Sequence, residues 1–152
     1  MRIIIADDSD LILERIQEML NQFNQVEIIA LLKNGKDALK AFKFIKPDLV
    51  ILDIKMPGLN GLEVLKEIRK EDKNVKIIIL TLYASDYYRQ LAMQSGANYF
   101  FSKVDDFEKI AVVVEELKLN EKMVQKIETR KTIMKKIKRE KENNTKSKIL
   151  SK

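Results

Sequence analysis

Five side chains in this 152-residue sequence have the types and positions to do chemistry together: Asp7, Asp8, Asp53, Thr81 and Lys103. All sit where apolar runs stop. Ile3-Ile4-Ile5-Ala6 ends on Asp7-Asp8, Leu49-Val50-Ile51-Leu52 on Asp53, Ile77-Ile78-Ile79-Leu80 on Thr81, and Tyr99-Phe100-Phe101-Ser102 on Lys103. Two carboxylates ~4 Å apart repel by about 4 kcal/mol at an effective dielectric of ~20. Three such pairs approach the whole stability of a domain, about 5–15 kcal/mol. Protons or cations must relieve that repulsion. Lys103 supplies one positive charge. A hard divalent cation with oxygen ligands and retained waters, Mg2+, supplies more. Asp53 then stands beside it as a carboxylate nucleophile.

Each residue also has an ordinary use. Asp8 or Asp10 suits the cap of a first helix. Asp53 suits the turn before Met56-Pro57-Gly58. Thr81 can be a plain strand-end threonine and Lys103 a solvated loop lysine. Their recurrence at four strand ends is what favours a shared site. The missing residue types narrow its chemistry. With no cysteine there is no disulfide, thiol nucleophile or thiolate metal site, and with no histidine there is no imidazole base or ligand. Any metal here is held by oxygen.

The elements that must position these tips alternate in kind. Strand patterns run over Ile3–Ala6, Val26–Leu31, Leu49–Leu52, Lys76–Leu80 and Tyr99–Phe101. Helical patterns run over Leu11–Phe23, Gly35–Phe44, Leu62–Arg69 and Ser85–Ser95. A fifth helix is predicted to start on a capping box, Asp105 with Glu108, although Val112-Val113-Val114 favours strand locally. Five strands alternating with five helices predict an α/β fold, a parallel sheet covered on both faces. In such folds ligands bind beyond the carboxyl ends of the strands, where the five side chains lie.

Charge divides the chain. Residues 119–152 hold 12 Lys/Arg and 4 Asp/Glu, whereas residues 1–118 hold 17 and 19. This places a boundary after Lys118, with a mildly acidic body followed by a basic tail. The tail lacks Gly and Pro and reads as helix, with Met123, Ile127, Ile133, Met134 and Ile137 on one face, interrupted by Arg130. Three uses are open to it. It is a solvated helix that gives way to disorder over Glu142–Lys152, an amphipathic helix that docks on a partner or self-associates, or a basic arm that grips nucleic acid or anionic lipid. No apolar run reaches the roughly 18 residues of a membrane span, and no signal-peptide pattern follows Met1, so a cytoplasmic location is expected.

Four stretches, Asp7-Asp8, LVILDIKMPGLNGLEVLKEIR (49–69), IIILTLY (77–83) and SGANYFFSK (95–103), together resemble the receiver domain of bacterial two-component response regulators. The resemblance covers residues 1–118. It implies a flavodoxin-like, doubly wound sheet of strand order 2-1-3-4-5. It implies that Asp53 accepts a phosphoryl group from a histidine kinase or phosphotransfer protein. Asp8 and Asp53 are then Mg2+ ligands, Asp7 acts mainly through water, and the backbone carbonyl of Lys55 completes the set. Thr81 and Lys103 contact phosphoryl oxygens, and Thr81 with Phe100 forms a switch in which the aromatic ring turns inward. Many relatives carry Tyr where this chain has Phe100. Lys55, Leu82 and Tyr83 also depart from the commonest pattern and bear on how long a phosphate persists. The output partner is left open, and a homodimer is compatible. Thirty-four tail residues fall short of a helix-turn-helix output domain. No independent substrate pocket is legible, so the chain reads as a phosphoacceptor signalling protein and not as an enzyme. The competing reading is a constitutive scaffold of the same fold, whose basic tail binds nucleic acid weakly.

Overall fold

A computed structural model describes residues 1–151. The elements follow in the order β1 (Arg2–Ala6), α1 (Asp10–Leu20), β2 (Glu27–Leu32), α2 (Gly35–Ile45), β3 (Leu49–Leu52), α3 (Gly61–Glu71), β4 (Lys76–Thr81), α4 (Asp86–Gln94), β5 (Tyr99–Ser102) and α5 (Lys109–Leu150). The strands form one sheet of order β2-β1-β3-β4-β5, and every pair is parallel. The α/β class and the strand order are as expected.

Inside their end residues Arg2, Lys76 and Thr81 the central strands are apolar, because both faces are covered. Ile4, Ala6, Val50, Leu52, Ile77, Ile79 and Phe100 join one core cluster with Ala38, Phe42, Val64, Leu65 and Ile68. The alternate positions Ile3, Ile5, Ile51 and Ile78 are equally buried. Register sets the strand tips level. Ala6 pairs with Leu52 and Thr81 with Ser102, so Asp7, Asp53 and Lys103 each follow directly on a paired strand end.

Local chemistry starts four helices. Ser9, Asn34, Asn60 and Ser85 each accept from the N–H three residues on, and such caps stabilise by about 1 kcal/mol each. Asn34 and Asn60 also donate to the carboxylates of Asp37 and Glu63. Ser9 caps α1, so neither Asp8 nor Asp10 is consumed in that role.

Three expectations need correction. First, α1 stops at Leu20, short of Phe23, and buries Leu13 with Ile16 and Leu20. Second, the Asp105–Glu108 capping box does not form. Asp106 accepts from the Ser102 N–H and pairs with Lys109, a turn of chain occupies residues 103–108, and α5 begins at Lys109. The N–H groups of Val104 and Asp105 are satisfied by the Ser102 hydroxyl, and that arrangement wins over the capping box. Third, of the three readings of the tail, the one that turns disordered over Glu142–Lys152 is not what the described residues adopt, because α5 runs unbroken through Glu142 to Leu150; Lys152 lies outside the described residues. A stretch without Gly or Pro, built largely from good helix formers, has no stop signal there.

The chain divides into two compact units, Met1–Ala111 and Val112 onward. In the second, Val113, Val114 and Leu117 are buried, and every residue from Leu119 to Leu150 is exposed. The three valines are helical: burial of Val113 and Val114 overrides their β-branched preference. Among the described residues no helix is long and apolar enough to cross a membrane.

Candidate functional site

The ladder continues past the strand ends and fixes the tips. Asp7 N–H donates to Leu32 O, Asp53 N–H to Ala6 O and Lys103 N–H to Thr81 O, each at 2.9 Å. The loop after Asp53 folds back so that Gly61 N–H donates to Ile54 O at 2.8 Å. A Cβ at Gly61 would lie 1.9 Å from the Asp53 carbonyl oxygen, so only glycine lets α3 start this close to the Asp53 backbone.

Asp7, Asp8 and Asp53 come together, each offering an oxygen within 4.8 Å of the others. Asp7 and Asp53 are buried and Asp8 is exposed. The Lys103 ammonium sits between the buried pair, 2.6 Å from Asp7 Oδ2 and 2.8 Å from Asp53 Oδ2. Their remaining oxygens accept from backbone: Asp7 Oδ1 from Ser9 N–H at 2.9 Å, Asp53 Oδ1 from Ile54 N–H at 2.7 Å.

Burial pushes the Asp7 carboxyl above its ordinary range; the Lys103 hydrogen bond pulls it back, and Asp53 adds repulsion. Burial alone would lower the Lys103 ammonium. The hydrogen bonds and charges of Asp53 and Asp7 more than reverse this, so it ends raised. One cation therefore serves a cluster of three acids and leaves it with excess negative charge. The donor set is entirely oxygen and partly open to solvent through Asp8, which suits a hard divalent cation such as Mg2+.

Thr81 is fully buried, and its Oγ1 accepts from Tyr83 N–H at 3.0 Å. Phe100 is buried too. Its ring lies 4.8 Å beneath the Arg89 guanidinium, and its carbonyl accepts from Arg89 Nη1 at 3.1 Å. The ring is thus already inside. Lys55 is exposed; its ammonium lies 5.2 Å from the Tyr83 ring centre and 5.4 Å from that of Tyr88. Leu82 and Tyr83 are exposed and line an open cleft with Tyr88, Ser102 and Val104.

Sequence reasoning missed several supporting residues. Ser102 and Asp106 shape the turn that aims Lys103, and a Ser-Lys-Val-Asp-Asp run was the available signal. Arg89 and Tyr88 gave none, because their partners Phe100 and Lys55 are distant along the chain.

The family model described as "Response regulator receiver domain" matches residues 3–115. The chain belongs to the response regulator receiver family. As a receiver it is 36% identical over 118 residues to the DNA-binding transcriptional activator EvgA of Escherichia coli K12, covering 78% of this chain and 57% of that one. It is 27% identical over 117 residues to the response regulator GacA of Pseudomonas aeruginosa, covering 77% and 55%. The chain thus spans little more than half the length of these relatives. Among solved structures, this receiver superimposes on a LuxR-family DNA-binding response regulator of Staphylococcus aureus. The TM-score is 0.70 at 34% identity, over 76% of this chain and 96% of the other. The REC domain of AraT from Geobacillus stearothermophilus gives a TM-score of 0.71 at 29% identity, over 82% and 97%.

Proposed function

We propose that this receiver takes a phosphoryl group onto Asp53 from a histidine kinase or phosphotransfer protein and thereby changes a partner-binding surface. A carboxylate oxygen of Asp53 forms the new O–P bond, the N–P bond of the donor phosphohistidine breaks, and the electron pair leaves with the donor imidazole. The observation that carries this reading is the Lys103 ammonium, buried and shared between Asp7 and Asp53 with Asp8 alongside. An acidic pocket with a built-in cation is suited to receive a group whose own charge needs offsetting.

Roles follow by residue. Asp7, Asp8, Asp53 and the Lys55 carbonyl would hold Mg2+. When bound, Mg2+ supplies two positive charges against the phosphoryl oxygens. Lys103 exchanges a carboxylate contact for a phosphoryl oxygen. Thr81 gives up the Tyr83 N–H bond and donates its hydroxyl to another. Because the Phe100 ring is already buried under Arg89, phosphorylation reinforces an inward state and does not create one.

Intact-protein mass spectrometry with acetyl phosphate and Mg2+ tests the reading. The wild type gains the mass of one phosphoryl group, and Asp53→Asn gains none. Equal labelling of Asp53→Asn, or no labelling of the wild type by any phosphodonor, rejects it.

A further inference from the structure

The exposed part of α5 has a surface that phosphoryl acceptance does not use. Met123, Ile127, Arg130, Met134 and Ile137 recur at intervals of 4, 3, 4 and 3 residues. That 3.5-residue repeat is the period of a helix-pairing seam. The four apolar members are 61%, 48%, 65% and 40% exposed, so among the described residues nothing covers the seam. It also lies about a third of a turn away from the stripe of Val113, Val114 and Leu117. One helix therefore carries two apolar stripes, and only the first is buried.

Charge decides what can cover the second. Seam-flanking positions include Lys126, Lys131 and Lys138. In a parallel pair of identical helices Arg130 meets Arg130 inside the seam, and Lys126 meets Lys131 beside it. In either orientation two segments with 12 basic and 4 acidic residues each lie side by side. Self-pairing is therefore opposed. Nucleic acid satisfies the lysines but leaves Ile127, Met134 and Ile137 in water. A bilayer covers them but must accommodate Arg130 mid-stripe, and residues 119–152 contain no aromatic anchor. A helix with an apolar stripe and carboxylates satisfies all three features at once.

We propose that the Met123–Ile137 seam of α5 pairs with an acidic amphipathic helix of another protein, one that sets apolar side chains against the seam, a carboxylate against Arg130, and carboxylates along Lys126, Lys131 and Lys138. Arg130 is then the element that fixes register and partner choice, as a single polar seam residue does in paired helices. The proposal is independent of phosphorylation, so Asp53→Asn leaves it unchanged.

The test uses the full chain and a synthetic four-heptad helical peptide. The peptide has Leu along the seam, Glu on both flanks and one Glu placed to face Arg130. Isothermal titration calorimetry should give one peptide per chain. Ile127→Gln with Met134→Gln should weaken binding about ten-fold or more while circular dichroism shows the helix content retained. Arg130→Glu should weaken binding of the Glu peptide and recover it with a peptide bearing Lys at the facing position. The proposal is overturned if either variant binds like the wild type or if the Lys peptide gives no recovery. It is also overturned if the chain alone sediments as a dimer dissolved by Ile127→Gln with Met134→Gln, or if duplex DNA or phosphatidylserine vesicles bind more tightly than the peptide.

Discussion

Lys103→Met removes the ammonium that Asp7 and Asp53 share and keeps most of the apolar stem. The Lys103, Asp7 and Asp53 side chains are only 5%, 2% and 7% exposed, so water replaces little of what is lost. Removing one partner of such a buried pair costs about 3–5 kcal/mol. The lower end applies here, because burial already pushes the Asp7 carboxyl upward, and its protonation offsets part of the uncompensated charge. A loss of about 3 kcal/mol moves a urea midpoint by roughly 1.5 M for a slope of ~2 kcal/mol/M. The pH dependence has a definite sign. A carboxyl raised in the folded state binds more protons there than in the unfolded chain, so folding is favoured as pH falls toward the unfolded value of 3.8. Without Lys103 that effect grows, and the deficit of the variant shrinks as pH falls from neutral toward 3.8. All four tyrosines lie between Tyr83 and Tyr99 and there is no tryptophan, so tyrosine fluorescence reports the body and not the α5 extension. Millimolar Mg2+ should raise the variant's midpoint more than the wild type's. A shift below about 0.5 M, or a deficit that widens on acidification, refutes the reasoning.

The same ammonium predicts alkaline behaviour. Its folded value lies above 10.5, so its contribution is complete below 10.5 and lost as pH rises through the folded value. Urea midpoints should fall there for the wild type and stay flatter for Lys103→Met. Gly61→Ala drives a Cβ into the Asp53 carbonyl. It should cost about 3 kcal/mol or more and depress acetyl-phosphate labelling even where the protein remains folded. Arg69 donates to Gly96 O at 2.8 Å, to the Asn98 side chain at 2.9 Å and to Asp72 O at 3.1 Å. Arg69→Met should lower stability by about 2 kcal/mol in urea denaturation, with labelling of Asp53 unchanged.

The strands were legible because burial on both faces writes continuous apolar runs, and the convergence of Asp7, Asp8, Asp53 and Lys103 was legible because each interrupts such a run at its end. Asp53 and Lys103 are 50 residues apart, yet each marks the end of its own strand. What escaped was set by partners remote in sequence or by competition between turns. Nothing near Lys55 announces Tyr83 and Tyr88. Nothing near Phe100 announces Arg89. The Asp105–Glu108 spacing fits a capping box, but Ser102 and Asp106 form the turn that the chain adopts. The tail read as helix, but whether it continues past Glu142 was not legible, because lysine-rich composition reads equally as a solvated helix and as a disordered tail.

The central claim is that Asp53 is the residue that accepts phosphorus. Borohydride reduces an aspartyl phosphate to homoserine, so peptide sequencing after treatment with acetyl phosphate and Mg2+ locates the label by chemistry. Homoserine at position 53, absent when EDTA replaces Mg2+, is the predicted result. Homoserine at Asp7, Asp8 or any other acidic position, or a phosphorylated protein that yields none, contradicts the account.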